Sequence, residues 1–196
     1  MKNFLRILST RSTPQFLIFV DTYCKLWYNN KIQKRRRDVT AMDCTIRKIT
    51  PTELPRLTEL FDYNDINGMI AENTKRIESG AADIFILLDG ERLIGELHVG
   101  YENGDKLEAV KGVRAYLYAY RIHKDFRGMG LGKLLMKTVL DTLAAKGYSE
   151  FTVGVQDGND RALHIYRSFG FSEVIARKYE EYQGDGYEYS LYLKRL

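Results

Sequence analysis

The chain has 196 residues, of which 44% are hydrophobic and 29% charged, so it can form one globular domain with a sizeable core. Its two cysteines and three scattered histidines form neither a disulfide framework nor a metal-binding cluster, and we expect no metal and a cytoplasmic location. The net charge of +4 comes from residues 1–41, with nine Lys/Arg against two Asp, because residues 42–196 carry 21 basic and 24 acidic residues and show no general nucleic-acid footprint.

Residues 1–41 are interpreted as a basic N-terminal extension of a domain that spans 42–196. The segment "PQFLIFV" is apolar but too short to cross a bilayer, and no small-residue cleavage site follows it. The basic run at 34–37 is most simply a solvated stretch in a flexible or partly helical segment. Two alternatives stay open: an arm that binds nucleic acid or an anionic membrane, and a translation start at Met42.

The domain begins with a predicted strand and two predicted helices. The alternating stretch 44–50 indicates the strand. Residues 50–53 follow a capping-box pattern with proline at the first helical position, which predicts a helix that runs to about Phe61. A second helix is predicted over 65–78, ahead of a glycine.

A hairpin and a tyrosine-rich strand come next. Asp89-Gly90 lies between two apolar segments, which predicts a tight type I′ turn. The strand is predicted over 113–122. Its period-2 alternation places four side chains on one face: Tyr116, Tyr118, Tyr120 and Ile122.

The C-terminal half alternates helices and strands. A helix over 130–146 carries an apolar stripe and is followed by Gly147 as its C-terminal cap. A buried strand over 150–155, a short helix that begins after Asn159, and two final antiparallel strands complete the chain. The order β-α-α-β-β-β-α-β-α-β-β predicts an α/β fold with a mixed sheet, not a regular doubly wound repeat.

The stretch "RGMGLGK" at 127–133 joins the tyrosine-rich strand to the next helix. It fails the phosphate-loop pattern at Arg127 and Leu134, and the dinucleotide pattern at Lys133. Glycines before a helix let an anion reach the free backbone N–H groups of the first turn. By itself, the loop is equally consistent with an anion site and with a turn that only allows close packing.

A second motif resolves this choice. "RGMGLG" fits the pattern Gln/Arg-x-x-Gly-x-Gly/Ala, and Asn159, Ala162, Tyr166 and Gly170-Phe171 follow the pattern N-x-x-A-x-x-x-Y-x-x-x-G-F. In this order and spacing, the two motifs resemble the GNAT superfamily of acetyl-CoA-dependent N-acetyltransferases, over roughly residues 44–196. The resemblance implies a six- to seven-stranded, mostly antiparallel sheet, about four helices, and two strands that splay apart at the coenzyme A site.

The resemblance also implies the cofactor and its contacts. The glycine loop would hold the pyrophosphate of acetyl-CoA, the backbone near Arg121 and Ile122 would bind the pantetheine arm, and an N–H near Ile122 could polarise the thioester carbonyl. Asn159 matches a residue that contacts coenzyme A. The expected cofactor-binding residues are therefore Arg121, Ile122, Arg127, Gly128, Met129, Gly130, Leu131, Gly132, Lys133 and Asn159.

The implied reaction is direct attack of a primary amine of a small molecule or peptide on the acetyl carbon. Tyr166 lies where the family places a general acid, although packing in the core is its alternative role. Glu96, which shares a strand face with His98, is the first candidate for the general base, although a solvent-facing glutamate is as good an interpretation. Tyr118 and Tyr120 are candidates for the lining of the acceptor site.

The acceptor itself carries no motif. Five acidic residues near the expected acceptor site would suit a cationic molecule, or are simply solvated: Asp65, Glu72, Glu102, Asp105 and Glu108. The alternative to an enzyme is a non-catalytic acyl-CoA-binding sensor domain. We expect no nucleic-acid partner for the domain, and a homodimer stays open.

Overall fold

The computed structural model describes residues 42–182 and 184–196, so the predicted basic extension lies outside the described residues. Seven strands form one sheet in the order β1-β2-β3-β4-β5-β7-β6, and only β4 and β5 run parallel. The strands are β1 Cys44–Lys48, β2 Ala82–Asp89, β3 Arg92–Gly100, β4 Arg114–Ile122, β5 Glu150–Gln156, β6 Glu173–Tyr182 and β7 Asp185–Arg195. The mixed, mostly antiparallel sheet of a single α/β domain is confirmed.

Three α-helices and two 3₁₀ helices connect the strands. They are α1 Ile66–Glu78, α2 Leu131–Ala145 and α3 Asp160–Arg167, with 3₁₀ helices at Pro51–Glu59 and Lys124–Phe126. The side chains of Asp65 and Asn159 cap α1 and α3 by accepting backbone N–H groups. Within the described residues, no helix is both long enough and apolar enough to cross a membrane.

The first predicted helix is a 3₁₀ helix and ends at Glu59, two residues before the predicted end. Pro55 explains the difference, since it lacks the N–H that an α-helix would pair with the Pro51 carbonyl. The observed backbone bond runs from Glu53 N–H to the Thr50 carbonyl, which is the shorter 3₁₀ spacing.

Two apolar cores cover the two faces of the sheet. The larger one joins α2 and α3 to the sheet and contains the predicted α2 stripe of Leu131, Leu135, Val139 and Leu143, all fully buried. The smaller one joins the first 3₁₀ helix and α1 to Ile84, Ile86 and Leu93. The sheet is therefore a middle layer, and α1 lies on the face opposite to α2 and α3.

The β2–β3 turn differs from its prediction. Asp89 pairs with Arg92, so the two-residue loop is Gly90-Glu91, and only Gly90 has a positive φ, at 56°. Positive φ at the first central residue alone is the pattern of a type II′ turn, not type I′. Asp89 remains in the strand, where its carboxylate accepts the backbone N–H of Asp43.

A β-bulge in β4 corrects the predicted tyrosine face. His98 pairs with Tyr118 but Glu96 pairs with Arg121, so one residue of β3 lies opposite two residues of β4. Ala119 takes a positive φ of 47° there. The extra residue reverses the alternation. Tyr116, Tyr118 and Arg121 therefore face α1, while Tyr120 and Ile122 pack with the core on the α2 face.

The parallel ladder between β4 and β5 is short. It pairs Arg114–Leu117 with Glu150–Val153 and then stops, although β4 continues to Ile122 and β5 continues to Gln156. Beyond this point β5 pairs only with β7. The predicted splay between two parallel strands is present, and it leaves one edge of β4 without a strand partner.

The hydrogen bonds of the Glu53 carboxylate lead to a prediction about stability. Its carboxylate accepts hydrogen bonds from both terminal nitrogens of Arg47, at 2.8 and 2.5 Å. It also accepts hydrogen bonds from the backbone N–H and the hydroxyl of Thr50. The hydrogen bond from Arg47 is the main reason that the pKa of Glu53 falls from its ordinary 4.5 to about 2. This carboxylate stabilises the fold above pH 4.5, and the contribution is lost as the pH falls towards 2.

Glu53→Gln should therefore lower the free energy of unfolding by about 2 kcal/mol at pH 7. Urea unfolding between pH 7 and pH 2.5 would measure this, and the gap to the wild type should narrow below pH 4.5. Glu78→Gln, at an exposed position of α1, is the control and should leave stability unchanged. A gap that stays constant over the whole pH range would contradict the proposed role of the Glu53 carboxylate.

Candidate active site

The glycine loop brings backbone N–H groups to the start of α2. Gly128 and Gly130 have φ values of 80° and 82°, a left-handed conformation that favours glycine. Gly130 caps α2 without a side-chain hydrogen bond, so the N–H groups of the first turn lack intrahelical partners. The Arg127 side chain donates to the Ile122 carbonyl at 2.9 Å and ties the loop to the end of β4.

Gly132, in the first turn of α2, allows a close approach. A Cβ atom at this position would clash with the hydroxyl of Tyr120, which the bulge has turned towards α2. The glycine therefore lets the start of α2 lie directly against β4. An anion at the helix terminus is then also next to the unpaired edge of β4.

A cavity of about 820 Å³ opens between the splayed strands, α2 and α3. Nine of the ten residues predicted to bind the cofactor line it: Arg121, Ile122, Arg127, Gly128, Gly130, Leu131, Gly132, Lys133 and Asn159. The tenth, Met129, is not part of the lining, and the residue is 45% exposed. Arg161 also lines the cavity and was missed, although a basic residue in the first turn after Asn159 was a readable signal.

Tyr166 lies on α3 where β4 and β5 separate. It is buried beside Tyr120 and Phe171, with ring centroids 6.1 and 5.9 Å away, so it also contributes to core packing. Its hydroxyl makes no hydrogen bond within the described residues. Burial raises the pKa of Tyr166 to about 12, so the phenol keeps its proton near neutral pH and can donate it into the gap.

A second cavity, of about 880 Å³, lies on the face of the sheet that α1 covers. Its walls come from α1, β3, β4 and the β6–β7 hairpin. Tyr118 lines this cavity, whereas Tyr120 lines the first one. The two cavities share four lining residues: Arg121, Gly154, Gln156 and Tyr166. A molecule in either cavity can therefore reach the same point in the gap.

Glu96 and His98 lie beside this junction on the same face of β3, as the alternation predicted. The carboxylate of Glu96 is fully buried; one oxygen is 2.7 Å from His98 Nε2, and the other accepts Arg121 Nη1 at 2.8 Å. Burial favours a raised pKa for Glu96, but His98 and Arg121 outweigh burial and lower it. Glu96 is therefore ionised and has both oxygens engaged, and it lines neither cavity, whereas His98 lines the second one.

Arg121 is held in place by more than Glu96. Its guanidinium stacks over the Phe61 ring, with 3.9 Å between the guanidinium carbon and the ring centroid, and Nη1 lies 3.4 Å from the Tyr63 hydroxyl. The segment between the first 3₁₀ helix and α1 thus packs against the charged pair. Within the described residues, no group of three or more His, Cys, Asp or Glu side chains could hold a metal ion.

Comparison with known proteins gives one family. A family model described as "Acetyltransferase (GNAT) family" matches residues 50–171. The chain is 29% identical over 112 residues to N-alpha-acetyltransferase 30 of Schizosaccharomyces pombe. This alignment covers 55% of this chain and 70% of that protein. It is 31% identical over 64 residues, 33% of its length, to the thialysine N-epsilon-acetyltransferase of Bos taurus, and this alignment spans only 38% of the bovine protein.

Solved structures share the fold. A ribosomal-protein-alanine N-acetyltransferase from Brucella melitensis matches 78% of this chain and 99% of its own, with a TM-score of 0.63 and 17% identity. A Salmonella typhimurium protein solved with its cofactor acetyl-CoA matches 78% of this chain and 94% of its own, with a TM-score of 0.60 and 16% identity.

The contact between Gly132 and Tyr120 predicts an effect on ligand binding. Gly132→Ala should push α2 away from β4 and weaken the binding of coenzyme A at least about tenfold, as isothermal titration would measure. Gly147→Ala is the matched control at the other end of α2, because it strains a positive φ of 92° where a Cβ meets nothing within 4 Å. The control should lose thermal stability and keep its affinity; equal affinity in both variants would contradict this role of Gly132.

Proposed function

This chain belongs to the acetyltransferase (GNAT) family, and we propose that it transfers the acetyl group of acetyl-CoA to a primary amine. The observation that carries the proposal is the meeting of two cavities at Tyr166, where β4 and β5 separate. Relatives are named for the acetylation of thialysine and of ribosomal protein bS18 alanine, both of which present a primary amine. One cavity would hold acetyl-CoA and the other the acceptor.

The residues of the first cavity fit acetyl-CoA. The free N–H groups of the α2 terminus, with Lys133 and Arg161 beside them, suit a pyrophosphate. The edge of β4 from Tyr118 to Ile122 has no strand partner on the β5 side, so its backbone is available to the amides of the pantetheine arm. Bound acetyl-CoA supplies an activated acetyl thioester, and the protein holds it in the gap.

We assign the role of general acid to Tyr166. The acceptor nitrogen forms a bond to the acetyl carbon, the carbon–sulfur bond breaks, and the sulfur leaves with the electron pair as a thiolate. The free, protonated hydroxyl of Tyr166 lies at the gap between β4 and β5. It would donate a hydrogen bond and then its proton to the sulfur. The products are the acetylated amine and coenzyme A with a free thiol.

The acceptor must first lose a proton, and we propose that Glu96 takes part in this step through His98. An ionised carboxylate only accepts hydrogen bonds, so His98 donates its Nε2–H to Glu96, and the neutral ring would then carry its lone pair on Nδ1. His98 lines the acceptor cavity, so Nδ1 can take the amine proton, directly or through water. Glu96 then stabilises the imidazolium, as the aspartate of a catalytic triad does.

Tyr166→Phe should lower kcat about a hundredfold and leave the affinity for acetyl-CoA nearly unchanged, because only the proton donor is lost. A thiol-release assay over a panel of small amines, run beside titration with acetyl-CoA, measures both quantities. An equal kcat in the variant would remove Tyr166 as the acid. Tight acetyl-CoA binding by the wild type with no turnover of any amine would favour the alternative, a non-catalytic acyl-CoA-binding sensor domain.

Substitutions of His98 and of Glu96 are expected to have different effects on the rate. His98→Gln keeps a hydrogen bond donor for Glu96 but removes the base, so kcat should fall about a hundredfold. Glu96→Gln should lower kcat less, because His98 remains. An unchanged kcat in His98→Gln would exclude His98 as the base.

A further inference from the structure

Two lysine side chains converge on one carboxylate at the end of α2 that is far from the glycine loop. Asp83 Oδ2 lies 2.5 Å from Lys48 Nζ and 3.5 Å from Lys146 Nζ, and Lys146 directly follows α2. The same oxygen accepts a hydrogen bond from the hydroxyl of Tyr101 at 2.6 Å. One negative charge therefore faces two positive charges, and none of these four residues lines either of the two cavities.

Lys48 takes the larger share of that negative charge. Attraction between opposite charges weakens with distance, so the carboxylate holds Lys48 more strongly than Lys146. Burial raises the pKa of Tyr101, so its hydroxyl keeps its proton and also donates to the same oxygen. Lys146 is left at the outer limit of a hydrogen bond to Asp83, with the like charge of Lys48 beside it.

The surroundings of Lys146 remove water from one side of its ammonium group. Nζ lies 5.7 Å from the centroid of the Tyr101 ring, and that buried ring packs against Tyr148, with centroids 5.3 Å apart. This partial burial, together with the positive charge of Lys48, lowers the pKa of Lys146, and Asp83 opposes the shift only in part. The side chain is still 42% exposed, so a reagent in solution can reach the amine.

Lys137, on the same helix, provides a comparison. Its Nζ pairs with Asp141 at 2.5 Å, one helical turn along α2, and its side chain is 70% exposed. Lys137 is thus closely paired with a carboxylate in water, whereas Lys146 shares its carboxylate with a nearer cation. Only the neutral form of an amine carries the lone pair that attacks a carbon atom, so the surroundings of Lys146 favour the reactive form more than those of Lys137 do.

We propose that Lys146 is an acylation site, at which the side-chain amine reacts with acyl thioesters such as acetyl-CoA without the help of the active site. The neutral Nζ attacks the carbonyl carbon, the nitrogen–carbon bond forms as the carbon–sulfur bond breaks, and the sulfur leaves with the electron pair as a thiolate. The nitrogen gives its surplus proton to water. Because Asp83 keeps its bonds to Lys48 and Tyr101, the fold loses little when Lys146 is acylated.

The test exposes the wild-type protein at pH 7 to the deuterated acetyl thioester of N-acetylcysteamine, a short reagent without the pyrophosphate that the first cavity would bind. Peptide mass spectrometry then gives the initial rate at each lysine. Lys146 should be acetylated at least about fivefold faster than Lys137, because each unit by which a pKa falls makes the neutral amine about tenfold more abundant. An equal or lower rate at Lys146 would overturn the proposal.

Acetyl-CoA is the second reagent, and it separates this site from the proposed acetyltransferase function. Acetylation of Lys146 by both thioesters, at rates that rise in proportion to reagent concentration, is the expected result. Acetylation of Lys146 by acetyl-CoA alone would assign the reaction to the active site. That result would overturn the proposal and leave the acetyltransferase function standing.

A variant with a matched control tests the part played by Lys48. Lys48→Met removes the competing cation and leaves Asp83 to Lys146, so the rate at Lys146 should fall to about that at Lys137. Lys75→Met, at an exposed position of α1, should leave the rate at Lys146 unchanged. An unchanged rate at Lys146 in Lys48→Met would contradict the proposed cause. Because the wild-type rates are measured first, the proposal is decided even if Lys48→Met fails to fold.

Discussion

The parallel hydrogen bonds between β4 and β5 end at Leu117 and Val153, and the features of the site depend on that interruption. Strands that stayed paired would leave no gap, no free edge on β4 and no connection between the two faces of the sheet. Because they separate, a cavity on the α2 face and a cavity on the α1 face meet at Tyr166. A two-substrate reaction needs such a meeting point, reached by each reactant from its own side.

The bulge at Ala119 and the charge of Glu96 complete the arrangement. The bulge turns Tyr120 towards α2 and Arg121 towards α1, so Tyr120 lines only the first cavity while Arg121 lines both. Arg121 in turn compensates a buried carboxylate, which would otherwise be costly in the apolar layer under α1. The carboxylate holds the ring of His98, which lines the second cavity, so the irregular backbone and the buried charge act together at the proposed active site.

The sequence predicted the strands and the α-helices and their order, because caps and periodicity are local signals. Nine of the ten residues that the family resemblance implied for cofactor binding line the first cavity. The prediction from simple alternation was wrong in β4, where one extra residue changes the register. Alternation placed Tyr120 and Ile122 on the same face as Tyr118, whereas the bulge turns them to the opposite face.

The most direct test of this account is a crystal structure of the protein with bound acetyl-CoA. The account predicts that the pyrophosphate lies on the N–H groups at the start of α2, that the pantetheine amides pair with β4 between Tyr118 and Ile122, and that the sulfur lies within hydrogen-bond reach of the Tyr166 hydroxyl. A thioester that binds elsewhere, or a sulfur that lies away from the junction of the two cavities, would contradict it.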